Sequence, residues 1–310
     1  MAEYTLDREN IHYKWDNALE PALTVEPGDI VHCWTDEVSA GQVTPGCDAE
    51  VLSRLDFDRV YPLAGPIAVH SARPGDALEV EVLSLRPDEW GWTGILPGLG
   101  LLAEDFPSAY IKHWDLSNGR AAEFRPGITV PLQPFCGTMG VAPAEPGKRA
   151  VMPPGDFGGN MDIRHLNAGS RLLLPVQVSG GLFSAGDGHA VQGDGEVCVT
   201  AIECPMSFSL RFNLRRGAAL QSPAFFTGRH PLSAHESASG YYVTTGVGPD
   251  LLANAKNAVR RMIDWLSAEH NLSPEDAYLL SSVAGDLKVS EVVDRPNWIV
   301  SFYMPSMTFG

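Results

Sequence analysis

Glycine and proline interrupt this chain so often that long regular helices have little room in its first 230 residues. The 310 residues include 31 Gly and 24 Pro. Proline removes a helix hydrogen bond and clashes with the preceding turn, while glycine raises the entropy cost of ordering a helix. Between these breaks lie short runs with alternating character: 76–83 (DALEVEVL), 127–132 (GITVPL), 170–178 (SRLLLPVQV), 196–202 (EVCVTAI) and 206–214 (MSFSLRFNL). Alternation with β-branched residues, bounded by turn formers, predicts strands. Pro-Gly-Asp opens such a run at 27–29 and again at 74–76, a recurring turn device.

The pattern changes near residue 249. Over 249–270 the spacing places Leu251, Leu252, Ala255, Ala258, Val259, Met262, Ile263 and Leu266 on one helical face. Ser273, Pro274, Glu275 and Asp276 then supply an N-cap, a first-turn proline and early acids for a second helix through Ser282. Residues 287–293 and 298–304 read as closing strands. The predicted fold class is mainly β (α+β), sandwich- or barrel-like, with a helical pair near the C-terminus. Helices do not alternate with strands, so a parallel α/β sheet is excluded. Residues 1–230 form the expected β-rich domain, and 231–310 an α/β portion packed on it or continuous with it.

Charge narrows the partners. Against 22 Lys and Arg stand 38 Asp and Glu, a formal net charge of −16. That field repels phosphate backbones and anionic lipid, so neither nucleic acid nor a membrane is an expected partner. No apolar run approaches the roughly 20 residues of a membrane span, and MAEYTLDREN lacks a basic-then-apolar leader. The five cysteines are odd in number and contain no Cys-x-x-Cys, against both a disulfide framework and a thiolate zinc site. The expected compartment is the cytoplasm.

Chemistry concentrates in residues 155–203. Asp187, His189, Asp194 and Glu196 lie among Gly186, Gly188, Gly193 and Gly195, with Asn160 and Asp162 after a Gly-Gly pair upstream. Carboxylates and an imidazole around a glycine-rich turn are hard oxygen and nitrogen ligands for one cation. Asp-Gly pairs are also ordinary solvated turns. The spacing matches neither His-Glu-x-x-His nor an EF-hand loop, so it names no reaction.

That segment, with 137–146 (GTMGVAPAEP) before it, resembles the core signature of the acetamidase/formamidase family. Similarity continues through 65–82 (GPIAVHSARPGDALEVEV), 97–102 (PGLGLL), 276–294 (DAYLLSSVAGDLKVSEVVD) and 297–303 (NWIVSFY), and so spans nearly the whole chain. The resemblance implies a β-rich, metal-dependent hydrolase that converts a short linear amide to a carboxylate and ammonia. It implies Asp162, Asp187, His189, Asp194 and Glu196 as site residues, with Asp36 and Asp286 as further acidic matches.

On that basis Asp162, Asp187, His189 and Asp36 are the expected metal set, holding zinc or calcium. Glu196 is the expected general base and later acid, with Asp194 able to exchange roles with it. Asn160, His70 and His165 are expected at the substrate, His70 and His165 being equally open to structural roles. Cys198, alternating with Val197 and Val199, is expected to pack rather than attack. Trp90, Trp92 and Trp114 are expected in a pocket or in the core. The partners are a small amide and a second copy of the chain, with 225–226 and 302–309 as apolar interface stretches. Departures from the family pattern at His70 and 35–48 leave open hydrolysis of another C–N bond, such as a cyclic imide, carbamate or formylated amine. The carboxylate content of the acidic loop leaves open a calcium-stabilised β-rich binding protein without activity.

Overall fold

The computed structural model describes residues 1–228, 239–293 and 295–309. The expected domain boundary at 230/231 lies outside the described residues. The molecule is mainly β with two helices near its C-terminus.

Two six-stranded sheets form the body. The first runs, edge to edge, through Glu3–Thr5, Ile30–Thr35, Met206–Arg215, Ala77–Pro87, Arg171–Pro175 and Ala224–Phe226. Met206–Arg215 shows why alternation is informative: Met206, Phe208, Leu210 and Phe212 are buried, while the intervening residues are partly exposed. The second sheet orders Gly158–Asn160, Phe135–Gly140, Phe183–His189, Leu63–Val69 and Ile11–His12, with Leu23–Val25 also on Leu63–Val69. Its three long strands are buried at every residue, so they carry no alternation. The sheets meet through contacts such as Phe183 against Phe212, edge to face with centroids 5.2 Å apart. Both sheets are open, so the architecture is layered and not a closed barrel.

A third, three-stranded sheet orders Tyr241–Gly248, Trp298–Pro305 and Asp286–Glu291. Helix α1 (Leu251–His270) packs on it, and α2 (Pro274–Ala284) follows. The Asp250 side chain accepts from Ala253 N, and the Ser273 side chain from Asp276 N. Each such cap is worth about 1 kcal/mol. Ala255, Ala258, Val259, Met262, Ile263 and Leu266 are buried as the spacing predicts, whereas Leu251 and Leu252 are exposed. They occupy the first turn of the helix. Phe302 is sealed in the chain's own core rather than offered to a partner, and Phe226 is exposed. No described helix is long and apolar enough to cross a membrane.

Residues 196–202, read as a strand, instead turn tightly. Glu196 N bonds Gly193 O and Val199 N bonds Glu196 O, and Glu196 and Val199 have φ of 42° and 76°. The third strand of that neighbourhood is Phe183–His189, which the glycines had concealed.

Candidate active site

Asp187 and His189 sit two apart on Phe183–His189, so both project from the same face of the second sheet. The neighbouring strand places Gly137 beside them, between paired Cys136–Gly188 and Thr138–Gly186. A Cβ at Gly137 would lie 2.5 Å from Asp162 Oδ1, 2.6 Å from Asp187 Oδ2 and 2.8 Å from His189 Cε1. Only glycine leaves that space. Asp162 follows Gly158–Asn160, and its N–H and that of Met161 both bond Gly137 O. Glycine at 186 answers a close approach instead: a Cβ there would meet Pro62 O at 2.3 Å. The positive φ belongs to Asp187 itself, at 60°.

Two loop acids complete the cluster. Glu196 comes from the tight turns just described, and Glu203 is held by reciprocal backbone bonds with Trp92. His189 Nε2 lies 3.3 Å from Asp187 Oδ1, 3.2 Å from Glu203 Oε2 and 4.0 Å from Glu196 Oε1. On its other side, Nδ1 meets Gln192 Oε1 at 3.0 Å, and Gln192 Nε2 donates to Asp162 O at 3.0 Å. Gln192 therefore fixes a proton on Nδ1 and aims Nε2 at the acids. Thr138 Oγ1 lies 2.8 Å from Asn160 Oδ1 and 3.2 Å from Asp187 Oδ2.

The electrostatics are costly. Burial, and then the charge of Asp187, lifts Asp162 to about 7. Burial, and then Asp162, raises Glu196 well above the carboxylate range. Burial also raises Glu203, partly opposed by His189. Burial disfavours the His189 cation, but Glu203 and Asp187 outweigh it and raise His189 strongly. Asp162 Oδ1, Asp187 Oδ1 and Glu203 Oε2 are buried and accept no hydrogen bond. Buried acceptors normally find partners, and clustered carboxylates need protons or a cation. One ligand atom from each of Asp187, His189 and Glu203, or of Asp162, His189 and Glu196, lies within 4.8 Å of the others. Donor type, orphaned oxygens and the Gly137 cradle all fit a divalent metal.

Asp162, Asp187, His189, Glu196 and Glu203 line a cavity of about 120 Å³, together with Asn160, Tyr61 and Trp92. Of the ten non-glycine residues with positive φ among those described, five line it: Tyr61, Asp162, Asp187, Glu196 and Val199. Each such conformation costs on the order of 1 kcal/mol or more and persists only where its surroundings impose it.

The structure thus brings Asp162, Asp187, His189 and Glu196 together and puts Asn160 on the wall. Asp194 lies outside the cavity lining, 2.9 Å from Arg164 Nε and 3.8 Å from Lys288 Nζ. Asp286 holds the same guanidinium at 2.7 Å. Asp36 is also outside the lining and caps Glu37 N at 3.0 Å. His70 is exposed and pairs with Glu26 at 3.3 Å; His165 does not line the cavity. Of the tryptophans, Trp92 lines the cavity, Trp90 packs beneath it, and Trp114 is buried against Phe124. Cys198 is sealed, and burial pushes its thiol up to about 11, leaving no thiolate for attack. Glu203, Tyr61 and Gln192 are site residues that spacing alone does not mark.

Residues 2–146 and 144–310 match the Acetamidase/Formamidase family. The chain is 27% identical to a putative formamidase of Schizosaccharomyces pombe, over 98% of this chain and 90% of that protein. Its fold superposes on an acetamidase from Bacillus halodurans with a TM-score of 0.69 and 32% identity, covering 97% of this chain and 96% of that one. A gamma lactamase from Delftia acidovorans superposes with a TM-score of 0.91 at 25% identity, over 99% and 93% of the two chains.

Proposed function

The chain belongs to the acetamidase/formamidase family, and we propose that it hydrolyses a short linear amide to a carboxylate and ammonia in the cavity around His189. The observation that carries this reading is the gathering of three buried carboxylates, Asp162, Asp187 and Glu203, each with an oxygen that accepts no hydrogen bond, around His189 in the cavity wall.

Asp162, Asp187, His189 and Glu203 would hold a divalent cation, and one imidazole among the oxygens favours zinc over calcium. When bound, such a cation supplies Lewis acidity and a water acidified to a pKa of about 7. The remaining work falls to side chains. Glu196 is 16% exposed, against 1–3% for Asp187, His189 and Glu203, so it faces the incoming substrate. From there it takes a proton from the attacking water and returns it to the departing nitrogen. Burial and the charges of Asp187, Asp162, Glu196 and Glu203 keep the Tyr61 phenol protonated. It is thereby a donor for the negative charge that develops on the carbonyl oxygen. Gln192 holds the imidazole, and Thr138 and Asn160 brace the wall. The five cysteines are free and four are buried, which supports a reducing, cytoplasmic setting. Assembly as a homodimer or a multiple of it is part of this proposal, with the exposed edge strand Ala224–Phe226 as the candidate contact.

Ammonia release from formamide, acetamide and propionamide, before and after exhaustive chelation, tests the proposal. Activity should vanish with the metal and return with zinc. Full turnover by protein shown metal-free by elemental analysis removes the metal, and ammonia from none of the amides removes the reaction.

A second reading has one observation behind it: the gamma lactamase superposes far better than the acetamidase, 0.91 against 0.69. Opening a γ-lactam gives an amino acid and no free ammonia, so assaying new amine alongside ammonia separates the two.

A further inference from the structure

The cavity is apolar over much of its lining. Val38, Leu55, Phe57, Val60, Leu96 and Leu99 line it with Trp92. Trp92 and Leu96 belong to a small apolar cluster separate from the main core, with Val38, Leu55 and Leu99 half-buried on its border. Phe57 is 48% exposed at the rim. Phe57 and the half-buried Val38, Leu55 and Leu99 leave apolar surface that costs free energy until something covers it.

Collapse onto the space is resisted by a buried polar anchor. Trp92 Nε1 donates to Glu37 Oε2 at 2.8 Å. Glu37 also accepts from Ser39 N and Gly41 N at 2.8 Å each and from Ser39 Oγ at 2.5 Å. The indole and the Val38 loop are therefore fixed by one carboxylate. The cavity is also oversized for acetamide. One water needs on the order of 10–15 Å³ of such space, so about 120 Å³ leaves ample room beyond a cation, a water and a carboxamide head.

We infer that the preferred substrate carries a bulky apolar group, a branched or cyclic hydrocarbon, on its carbonyl carbon. The inference rests on the amide-hydrolase reading and adds the acyl class to it. The acid cluster takes the carboxamide; Trp92, Leu96 and Leu99 take the hydrocarbon.

The test compares kcat/KM of zinc-loaded enzyme for acetamide, isobutyramide, cyclohexanecarboxamide and benzamide. It should rise at least tenfold from acetamide to cyclohexanecarboxamide, mainly through KM. In Phe57→Ser and Leu99→Ser, the ratio of the two constants should fall by roughly tenfold, the usual discrimination of a hydrophobic pocket contact. Acetamide hydrolysed as well as or better than the bulky amides overturns this inference and leaves the amide reading standing. An unchanged ratio in both folded variants overturns it too. No ammonia from any of the four overturns both.

Discussion

Arg164 offers the sharpest test of how the site is held together. Its guanidinium is 3% exposed, meets Asp286 through Nη1 at 2.7 Å and Nη2 at 3.0 Å, and meets Asp194 through Nε at 2.9 Å. Arg164 is two residues from Asp162, and Asp194 is two residues from Glu196, so this bridge ties together the segments that carry two site acids. Arg164→Met strands Asp286, only 1% exposed, with no close cation: Lys288 Nζ at 3.7 Å and the Asp194 N–H at 3.2 Å are its remaining partners. Removing one partner of a buried pair costs about 3–5 kcal/mol. At about 2.1 cal/mol/K per residue, a 310-residue chain unfolds with an entropy near 650 cal/mol/K, so Tm should fall by roughly 5–8 °C. Asp194→Asn disturbs a group 31% exposed and should move Tm by no more than about 2 °C, because exposed pairs contribute about 0–1 kcal/mol. A displacement of about 1 Å can still cost on the order of 100-fold in rate, so both variants should lose turnover. Arg164→Met with Asp286→Leu removes the stranded charge and should recover most of the Tm without recovering kcat. The assays are calorimetry, zinc content and ammonia release. Equal Tm losses in the two single variants, or wild-type kcat in the double variant, would refute the reasoning.

His189→Ala should lose zinc and activity together, whereas Glu196→Gln should keep most of its zinc while kcat falls by roughly 100-fold or more; elemental analysis beside turnover decides, and loss of zinc in Glu196→Gln would make Glu196 a ligand. Met262→Asp buries a charge without a partner, Met262 being fully sealed, while Leu252→Asp alters a residue 61% exposed. Thermal unfolding should show a large loss for the first and under about 0.5 kcal/mol for the second; equal losses would mean the buried face of α1 is misassigned. Burial lifts Glu37 from 4.5 to about 7, so between those values the native state binds the extra proton and stability falls as pH rises, levelling off above 7. That slope totals about 3 kcal/mol, from roughly 1.36 kcal/mol per pKa unit. Glu37→Gln lacks it, so the wild type's stability relative to this variant should decline from pH 4.5 to 7, and parallel stability curves would contradict the shift.

Met206–Arg215 and α1 were legible because each has one buried face and therefore a period, and α2 because Ser273, Pro274 and the early acids mark its start, although its residues 277–284 are buried on every side. Phe183–His189 was not, since both its faces are covered and its glycines answer neighbours such as Pro62 that are remote in sequence. The opposite error at 196–202 has the same origin: apolar alternation there records burial of Val197 and Cys198 in turns against α2, with Cys198 N bonded to Ser282 Oγ. Among the acids, Asp162, Asp187, His189 and Glu196 stood out through their glycine-rich setting and family resemblance. Asp194 looked equivalent to Glu196 in that string, yet one side chain turns to Arg164 and the other to His189.

By itself, the order of residues determined the β-rich class, the helical pair, the acidic surface and the donor types gathered in residues 155–203. Those properties are local, set by periodicity, turn chemistry and charge. Which acids share a cavity was decided only in three dimensions. Strand register sets Gly137 against Asp187, backbone bonds to Trp92 deliver Glu203, and Arg164 draws Asp194 away. A carboxylate's partner is whatever chain segment the packed sheets bring within a few ångströms, and sequence distance carries no record of that.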